Sequence, residues 1–471
     1  MKYDYEDLYA AKKTYGQDIN TSLGNAADPI DADQKLQEDA LMSYVASVNY
    51  SYDDKYYASF SFRRDGSSRL SPDTRWGNFW SLSASWRLSQ ERFMQPLKSV
   101  LSDLKLRASY GVNGNLPSSY YGYQSTYTTG AFYSGKPSPW ESTLGNEELT
   151  WEKNYALNLG LDIGLFSRVN VSLDWYTRTT KDLLMSKQLN SISGFSSLLT
   201  NVGQMRNTGV ELEVRSNNIK TKDFSWTTAF NLSHNKNKIL KLADLPWFVD
   251  GRYVRKEGYP FNTIYLREYA GVDPETGSAL YYDNQQDENG NYTKNKVTDP
   301  GQASPIPLKD ITPTISGGFM NTFNYKFIDL SFNLSYSFGG YSYDNASYIL
   351  QDDGYSVISN KSTEQRRRWQ KPGDITDVPR FVYGNKKGGN YNSSRAIHST
   401  DHIRLKSLIL GLNAPKAWLQ KLGIGNARIY FSGTNLLTWA AYGQYDPEMS
   451  GVVGFYTPPL KTYAFGLELK F

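Results

Sequence analysis

The sequence predicts an all-β chain, an antiparallel transmembrane β-barrel, and three observations carry that prediction. First, the closing run Tyr463-Ala464-Phe465-Gly466-Leu467-Glu468-Leu469-Lys470-Phe471 puts an aromatic or aliphatic residue at every odd position and a small or charged one at every even position. A period of two is a strand with one apolar and one polar face. Second, the same alternation recurs along most of the chain, as it does in strands that separate lipid from a lumen. Third, aromatics reach 15% of residues, with 37 Tyr, 21 Phe and 11 Trp, an excess that suits two aromatic girdles. A large soluble β-sandwich with sugar-binding aromatics would share the composition.

Composition narrows the function. Only 39% of the 471 residues are hydrophobic, and no stretch approaches the roughly 20 apolar residues of a transmembrane helix. A barrel remains allowed, because lumen-facing residues dilute the average. The absence of cysteine excludes disulfides and thiolate metal sites. The net charge of +4 and the lack of a long basic block argue against a nucleic-acid partner; Arg366-Arg367-Arg368 beside Trp369 reads as a solvated loop. Met1 to Glu6 contains no apolar signal-peptide core, so an incomplete chain is expected for an exported protein.

Alternation and turn residues place the strands in order. The first is 40–52, with Tyr44, Ala46, Val48, Tyr50 and Tyr52 on one face; Asp53-Asp54 turns it into 55–65, where Tyr56, Ala58, Phe60 and Phe62 continue that face. Strand 76–89 sets Trp80, Leu82, Ala84, Trp86 and Leu88 outward and leads through a helical link, 93–101, to strand 103–113. Strand 152–165 alternates Tyr155, Leu157, Leu159, Leu161, Ile163 and Leu165 with polar or small residues; a turn at Ser167 gives 168–181, with Val169, Val171, Leu173 and Trp175 outward. Strands 205–217 and 223–236 join through Asn217-Asn218, and 313–324 joins 327–339, where Ile328, Leu330, Phe332, Leu334, Tyr336 and Phe338 line one face. In 401–412 the apolar phase slips near Ser407, which predicts a bulge. A link containing Trp418, Leu419 and Leu422 precedes 426–437, and 462–471 closes the set.

These are thirteen strands, and their connections alternate in length. Those after 52, 89, 165, 217, 324 and 412 are short; those after 65, 113, 181, 236, 339 and 437 are mostly long and rich in Gly, Pro, Asn and Tyr. Short periplasmic turns and long outer loops are the outer-membrane pattern. Single-chain bacterial barrels have even strand numbers, and an open sheet would leave unpaired edges in lipid. The odd count therefore predicts that further strands lie outside this sequence, and that residues 1–39 form an extracellular segment ahead of a barrel portion at 40–471.

Five stretches then carry a resemblance. They are Asn49–Tyr52 through Phe60–Ser68; Leu106–Asn115; Asn207-Thr208-Gly209-Val210-Glu211; Gly271-Val272-Asp273-Pro274-Glu275-Thr276-Gly277; and Gly433–Leu437 with Tyr445-Asp446-Pro447-Glu448 and the terminal Phe471. In this order they resemble the C-terminal half of the SusC/RagA-type TonB-dependent transporters of Bacteroidetes outer membranes. The resemblance implies a 22-stranded barrel with an N-terminal plug, of which these would be the last thirteen strands, with the plug absent from this chain. It implies uptake of glycan oligosaccharides or peptides, a SusD-like surface lipoprotein as lid, and energy from TonB through the missing plug. It also makes Phe471 an assembly signal and Asp273, Pro274, Glu275, Thr276 and Gly277 a family loop motif.

No motif points to catalysis, a cofactor or a metal. There is no G-x-S-x-G elbow, phosphate loop or H-E-x-x-H. His398 and His402 flank Asp401 in a polar strand entry, and Asp287-Glu288-Asn289-Gly290-Asn291 reads as a Gly-supported turn with Lys296 where an EF-hand would need Glu. Glu211 and Glu213 read as lumen wall. The loop at 114–151 is the exception in density: Tyr120, Tyr121, Tyr123, Tyr127, Phe132, Tyr133 and Trp140 supply faces that stack on sugars, clamp peptides or pack on a partner. Tyr120, Tyr121, Tyr123, Tyr133 and Trp140 are the expected substrate or partner contacts, with loops 238–310 and 341–400 sharing the role. An outer-membrane β-barrel enzyme and a passive porin are the alternative readings.

Overall fold

The structure is a computed structural model. It describes residues 2–10, 13–15, 26–28, 32–134, 136–242, 245–356, 358–385, 391–415, 419 and 423–471, with side chains from residue 37 onward apart from 129–133, 136 and 137. Trp418 and Leu422 of the expected link, and the side chains of Phe132 and Tyr133, lie outside the described residues.

One antiparallel sheet runs through the chain. Its strands are β1 (Lys2–Ala10), β2 (Ala32–Tyr52), β3 (Tyr56–Ser67), β4 (Trp76–Arg87), β5 (Leu101–Asn115), β6 (Glu152–Leu165), β7 (Val169–Lys181), β8 (Gln204–Lys220), β9 (Phe224–Lys241), β10 (Ile315–Tyr325), β11 (Ile328–Phe338), β12 (His402–Asn413), β13 (Asn426–Ala440) and β14 (Thr462–Lys470). Each pairs with its neighbour in chain order. Such a meander needs only tight turns on one side, and these are present: Asp53 and Asp54, then Phe166 and Ser167, all have φ near +50°, the backbone of a two-residue hairpin turn.

The thirteen expected strands are β2 to β14. The fourteenth comes from the segment read as a loop: Lys2–Ala10 pairs with Ala32–Ala40, and Lys13 and Tyr15 continue the ladder opposite Asp28 and Ala26. The described residues of 2–40 thus pair as the two legs of a β-hairpin, and the second leg runs on into the strand that pairs with β3 from Leu41 to Tyr52. At 21 residues, Ala32–Tyr52 is about twice the length that crosses a bilayer. A second difference lies between β8 and β9. Asn217 and Asn218 do not turn the chain: the Asn217 amide donates to the Arg168 carbonyl at 2.8 Å and Asn218 Nδ2 donates to Thr228 Oγ1 at 2.7 Å. The turn falls at 221–223, closed by Thr221 N to the Phe224 carbonyl at 2.8 Å. Asn side chains can serve a strand as well as a turn, and here the strand takes them: Asn218 lies on the aromatic side of the sheet, where Thr228 in turn donates to Asn321 at 2.7 Å.

The bulge expected near Ser407 is present. Asn333 pairs with Ser407 and Leu334 with Leu405, leaving Lys406 as the extra residue; on the other edge Leu405 faces Leu437 and Ser407 faces Thr434. One inserted residue moves the apolar phase from Ile403 and Leu405 to Leu408, Leu410 and Leu412.

The chain folds as two compact units. The first comprises Met1–Ser85, Ala108–Leu157 and Arg178–Met205. Its core is Leu70, Phe79, Val112, Leu149 and Trp151, with Phe79 edge-on to Trp151 at 5.2 Å. The second comprises Trp86–Arg107, Asn158–Thr177 and Arg206–Phe471. Within it, the polar side of the sheet is cross-linked. Arg107 donates to both Asp162 oxygens at 2.8 and 2.9 Å and to both Asp174 oxygens at 2.9 Å. Arg428 donates to Asp329 at 2.6 and 3.2 Å, and Asn413 Nδ2 donates to the same carboxylate at 2.8 Å. Gly411 has no side chain because a Cβ there would strike Asp329 and Arg428. The opposite side is an aromatic ladder, Trp226 on Phe323 at 5.5 Å and Phe323 on Phe332 at 6.3 Å.

Among the described residues no helix is long and apolar enough to cross a membrane, whereas the strands expose Val48, Phe60, Leu82, Leu173, Leu410, Ile429 and Phe465 in alternation. Apolar rows of that extent fit lipid. Leu334→Arg, near the middle of β11, should therefore destabilise the folded protein in vesicles by about 2–4 kcal/mol, and Asn333→Arg on the polar side by less than about 1 kcal/mol. Urea titration of folding into lipid vesicles checks this; equal losses at both positions would contradict the assignment of faces.

Candidate binding site

The long connections fold as water-soluble protein does, with buried cores and paired charges. In the second unit, strands Trp247–Asp250, Tyr253–Lys256, Thr263–Leu266 and Ile306–Asp310 form one small sheet, and Tyr269–Val272, Ala279–Tyr282 and Lys296–Val297 another. A third joins Ile397–Ser399, Tyr341–Asp344 and Gly451–Val453, bringing three distant segments together. Ile264, Leu266, Tyr343 and Ala396 form the core beneath it. Asp353, fully buried, accepts from Arg395 at 2.5 Å and from Gln365 Nε2 at 2.9 Å. Such a pair fixes the loop, since removing one partner would strand the other charge.

The motif Asp273–Gly277 is a brace. Asp273 Oδ2 accepts from Thr276 Oγ1 at 2.5 Å and Oδ1 accepts from the Glu275 amide at 3.1 Å; the Thr276 hydroxyl and that amide hold the Asp273 carboxyl below the usual carboxylate range. Gly277 sits at φ +69°, and a Cβ there would run into the Trp369 indole. Trp369 Nε1 donates to the Pro274 carbonyl at 2.8 Å, and the Arg380 amide donates to the Gly277 carbonyl at 2.9 Å. The turn therefore anchors the segment 369–380.

The expected contact residues in the first unit divide by role. Tyr120 lies under the Arg69 guanidinium at 4.1 Å, and Arg69 pairs with Asp39 at 2.9 Å. The Tyr121 hydroxyl accepts from the Glu38 amide at 3.1 Å, tying this loop to the hairpin leg. Tyr123 packs against the core that holds Leu149 and Trp151. Trp140 belongs to a hairpin, Thr126–Tyr133 with Lys136–Thr143, where it pairs with Thr128 and stands exposed, as does Tyr127. Tyr133 opposes Lys136 in that hairpin, and its side chain lies outside the described residues. Of the four whose side chains are described, Trp140 alone presents an open face unclaimed by a neighbour among the described residues.

A cavity that sequence reasoning missed lies in the second unit, at the long-loop ends of β12 and β13. Its volume is about 600 Å³, and it is bounded by Asp344–Gln351, Arg404, Thr438 and the segment 440–458. Tyr442 forms its wall: His398 stacks on it at 3.7 Å and 2°, and its hydroxyl donates to Asp344 Oδ2 at 3.1 Å. Burial pushes the Tyr442 phenol far up, Asp344 adding to it, and burial pushes the His398 imidazole down, so both rings stay neutral. Tyr445 packs on Tyr442 at 5.2 Å and hydrogen-bonds Ser342. Arg404, almost fully buried, donates to Asp446 at 2.7 Å and to Glu448 at 3.0 Å. His402 Nδ1 meets the Thr400 carbonyl at 2.8 Å, so the two histidines considered together serve different neighbours. Among the described residues no three metal-ligating side chains converge. The signal for this site was the run Tyr445-Asp446-Pro447-Glu448, singled out for resemblance without a structural role.

Comparison with known proteins decides the family. A model described as TonB dependent receptor-like, beta-barrel, matches residues 2–270. The chain belongs to this family. Similar TonB-dependent receptors include P3 of Formosa agariphila, 33% identical over 93% of this chain and 46% of that protein, and SusC of Bacteroides thetaiotaomicron, 31% identical over 93% and 45%. A solved structure of the RagAB peptide transporter is 30% identical with a TM-score of 0.89, covering 100% of this chain and 52% of that one. This TonB-dependent receptor chain thus spans about half the length of the relatives it matches. Its strands are those of a bacterial outer-membrane barrel.

Trp369→Ala should loosen the braced segment. Trypsin cleavage after Arg366, Arg367 or Arg368 in intact cells should quicken about tenfold, since local opening governs cleavage. Unchanged cleavage would show that the Asp273–Gly277 turn does not hold that loop.

Proposed function

We propose that this chain supplies barrel strands and outer loops of an outer-membrane importer for glycan oligosaccharides or peptides. In this reading a SusD-like lipoprotein covers the loops, and TonB acts through a plug that these residues do not include. The carrying observation is the likeness to the RagAB peptide transporter along the whole chain, at 30% identity. The likeness to SusC, also spread over 93% of the chain, supports the same class.

The architecture suits that task. A wall cross-linked through Arg107, Asp162 and Asp174 can hold its bore while a plug is pulled. Loops with their own cores, such as the one around Ile264 and Tyr343, offer a stable surface to a lid that opens and closes. The hairpin at 2–40 is read as extracellular, continuing a strand beyond the bilayer. Trp140 is the first anchor for lid or substrate; Tyr120, Tyr121, Tyr123 and Tyr133 support or extend its surface. Phe471, 87% exposed and one residue past β14, is read as the assembly signal. The absence of a catalytic constellation in the sequence favours import over an outer-membrane enzyme, and the family likeness favours it over a passive porin.

Affinity purification from the native outer membrane tests this. A lipoprotein should co-purify with the receptor, and Trp140→Ala should weaken retention of that lipoprotein or of substrate by about tenfold. In the same membranes, deletion of Phe471 should lower receptor abundance without lowering synthesis. Absence of any co-purifying lipoprotein would reduce the reading to a TonB-dependent barrel without a lid.

A further inference from the structure

The cavity beside Arg404 carries an inference about ligand chemistry. Its charged groups are already matched within the protein. Arg404 is bound by Asp446 and Glu448. Asp344 accepts from the Ser347 amide at 2.8 Å and from the Tyr442 hydroxyl. With one cation against Asp344 and Asp446, the lining ionic residues repel an anion and leave no free cation to receive one.

What remains available is neutral. The amides of Gln351 and Gln444 and the hydroxyl of Thr438 line the cavity and have no hydrogen-bond partner among the described residues. Around these donors stand the faces of Tyr442, Tyr445, Phe455 and Tyr456, the last two exposed. Aromatic faces with unpaired amides and hydroxyls suit a ligand that offers C–H faces and many uncharged oxygens. A short peptide would bring terminal charges for which no partner is free.

We propose that this cavity is a subsite for a neutral saccharide, held against Tyr442, Tyr445, Phe455 and Tyr456 and hydrogen-bonded by Gln351, Gln444 and Thr438. The proposal rests on the importer reading and names the substrate class at one place on its wall.

The test uses the receptor purified with whatever accompanies it in the native membrane. Binding is measured to immobilised malto-, laminari-, xylo- and manno-oligosaccharides, to oligogalacturonate, and to an uncharged and a charged peptide series. Saturable binding to at least one uncharged saccharide series is expected, with little change between about 50 and 500 mM salt because no charge is matched. Tyr456→Ala and Gln444→Leu, both on the rim, should each weaken it about tenfold. Binding only to peptides or to oligogalacturonate, binding to none, or full saccharide affinity in both variants would overturn the subsite. Loss of the lipoprotein from the preparation would count against the importer reading, while saccharide binding sensitive to the two variants would still uphold the subsite.

Discussion

In hydrocarbon every backbone N–H and C=O must find its partner inside the protein. That constraint organises this chain. A strand satisfies it only by pairing along both edges, and the meander from β1 to β14 supplies a neighbour to each successive strand. Once the backbone is committed to ladders, side chains must alternate between two solvents. Leu330 and Phe332 go to one side, Asp329 to the other, where it meets Arg428. The polar side can then carry ion pairs such as Arg107 with Asp162 and Asp174 that would be ruinous in lipid.

Beyond the ends of the strands the solvent changes and the rules change with it. The long loops build hydrophobic cores, bury Asp353 against Arg395, and use Gly277 to seat Trp369. Strand β12 links the two regimes. Its bulge at Lys406 shifts the phase, so that Arg404 faces Asp446 and Glu448 while Ile403 and Leu410 keep to the apolar side. A barrel wall and a polar cavity are thereby made from one strand.

Much of the fold was legible because period two is a local signal. The thirteen strands, the Asp53-Asp54 and Ser167 turns and the slip near Ser407 all follow from residues a few positions apart. The hairpin at 2–40 was not, since Lys2–Ala10 is too polar for its alternation to announce a strand. Asn217-Asn218 misled because Asn suits both turns and strands. The candidate site was legible in part. Trp140 stands open, whereas Tyr120 and Tyr121 are engaged by Arg69 and Glu38, and Tyr123 by the core, through contacts no local pattern reveals. The cavity joins Asp344, Arg404 and Tyr442 across about a hundred residues, so its parts look like ordinary loop polarity until the chain is folded.

The alternation of solvents along each strand is the claim on which the rest stands, and the lack of cysteine makes it directly measurable. Single cysteines from Ile328 to Phe338 can be spin-labelled in the membrane-embedded protein, and their collision rates measured with oxygen, which partitions into lipid, and with a water-soluble nickel chelate. Oxygen accessibility should peak at Ile328, Leu330, Phe332, Leu334, Tyr336 and Phe338, with chelate accessibility peaking at the residues between them. Accessibilities that rise and fall together, or that repeat every three to four residues, would contradict a strand wall between lipid and lumen.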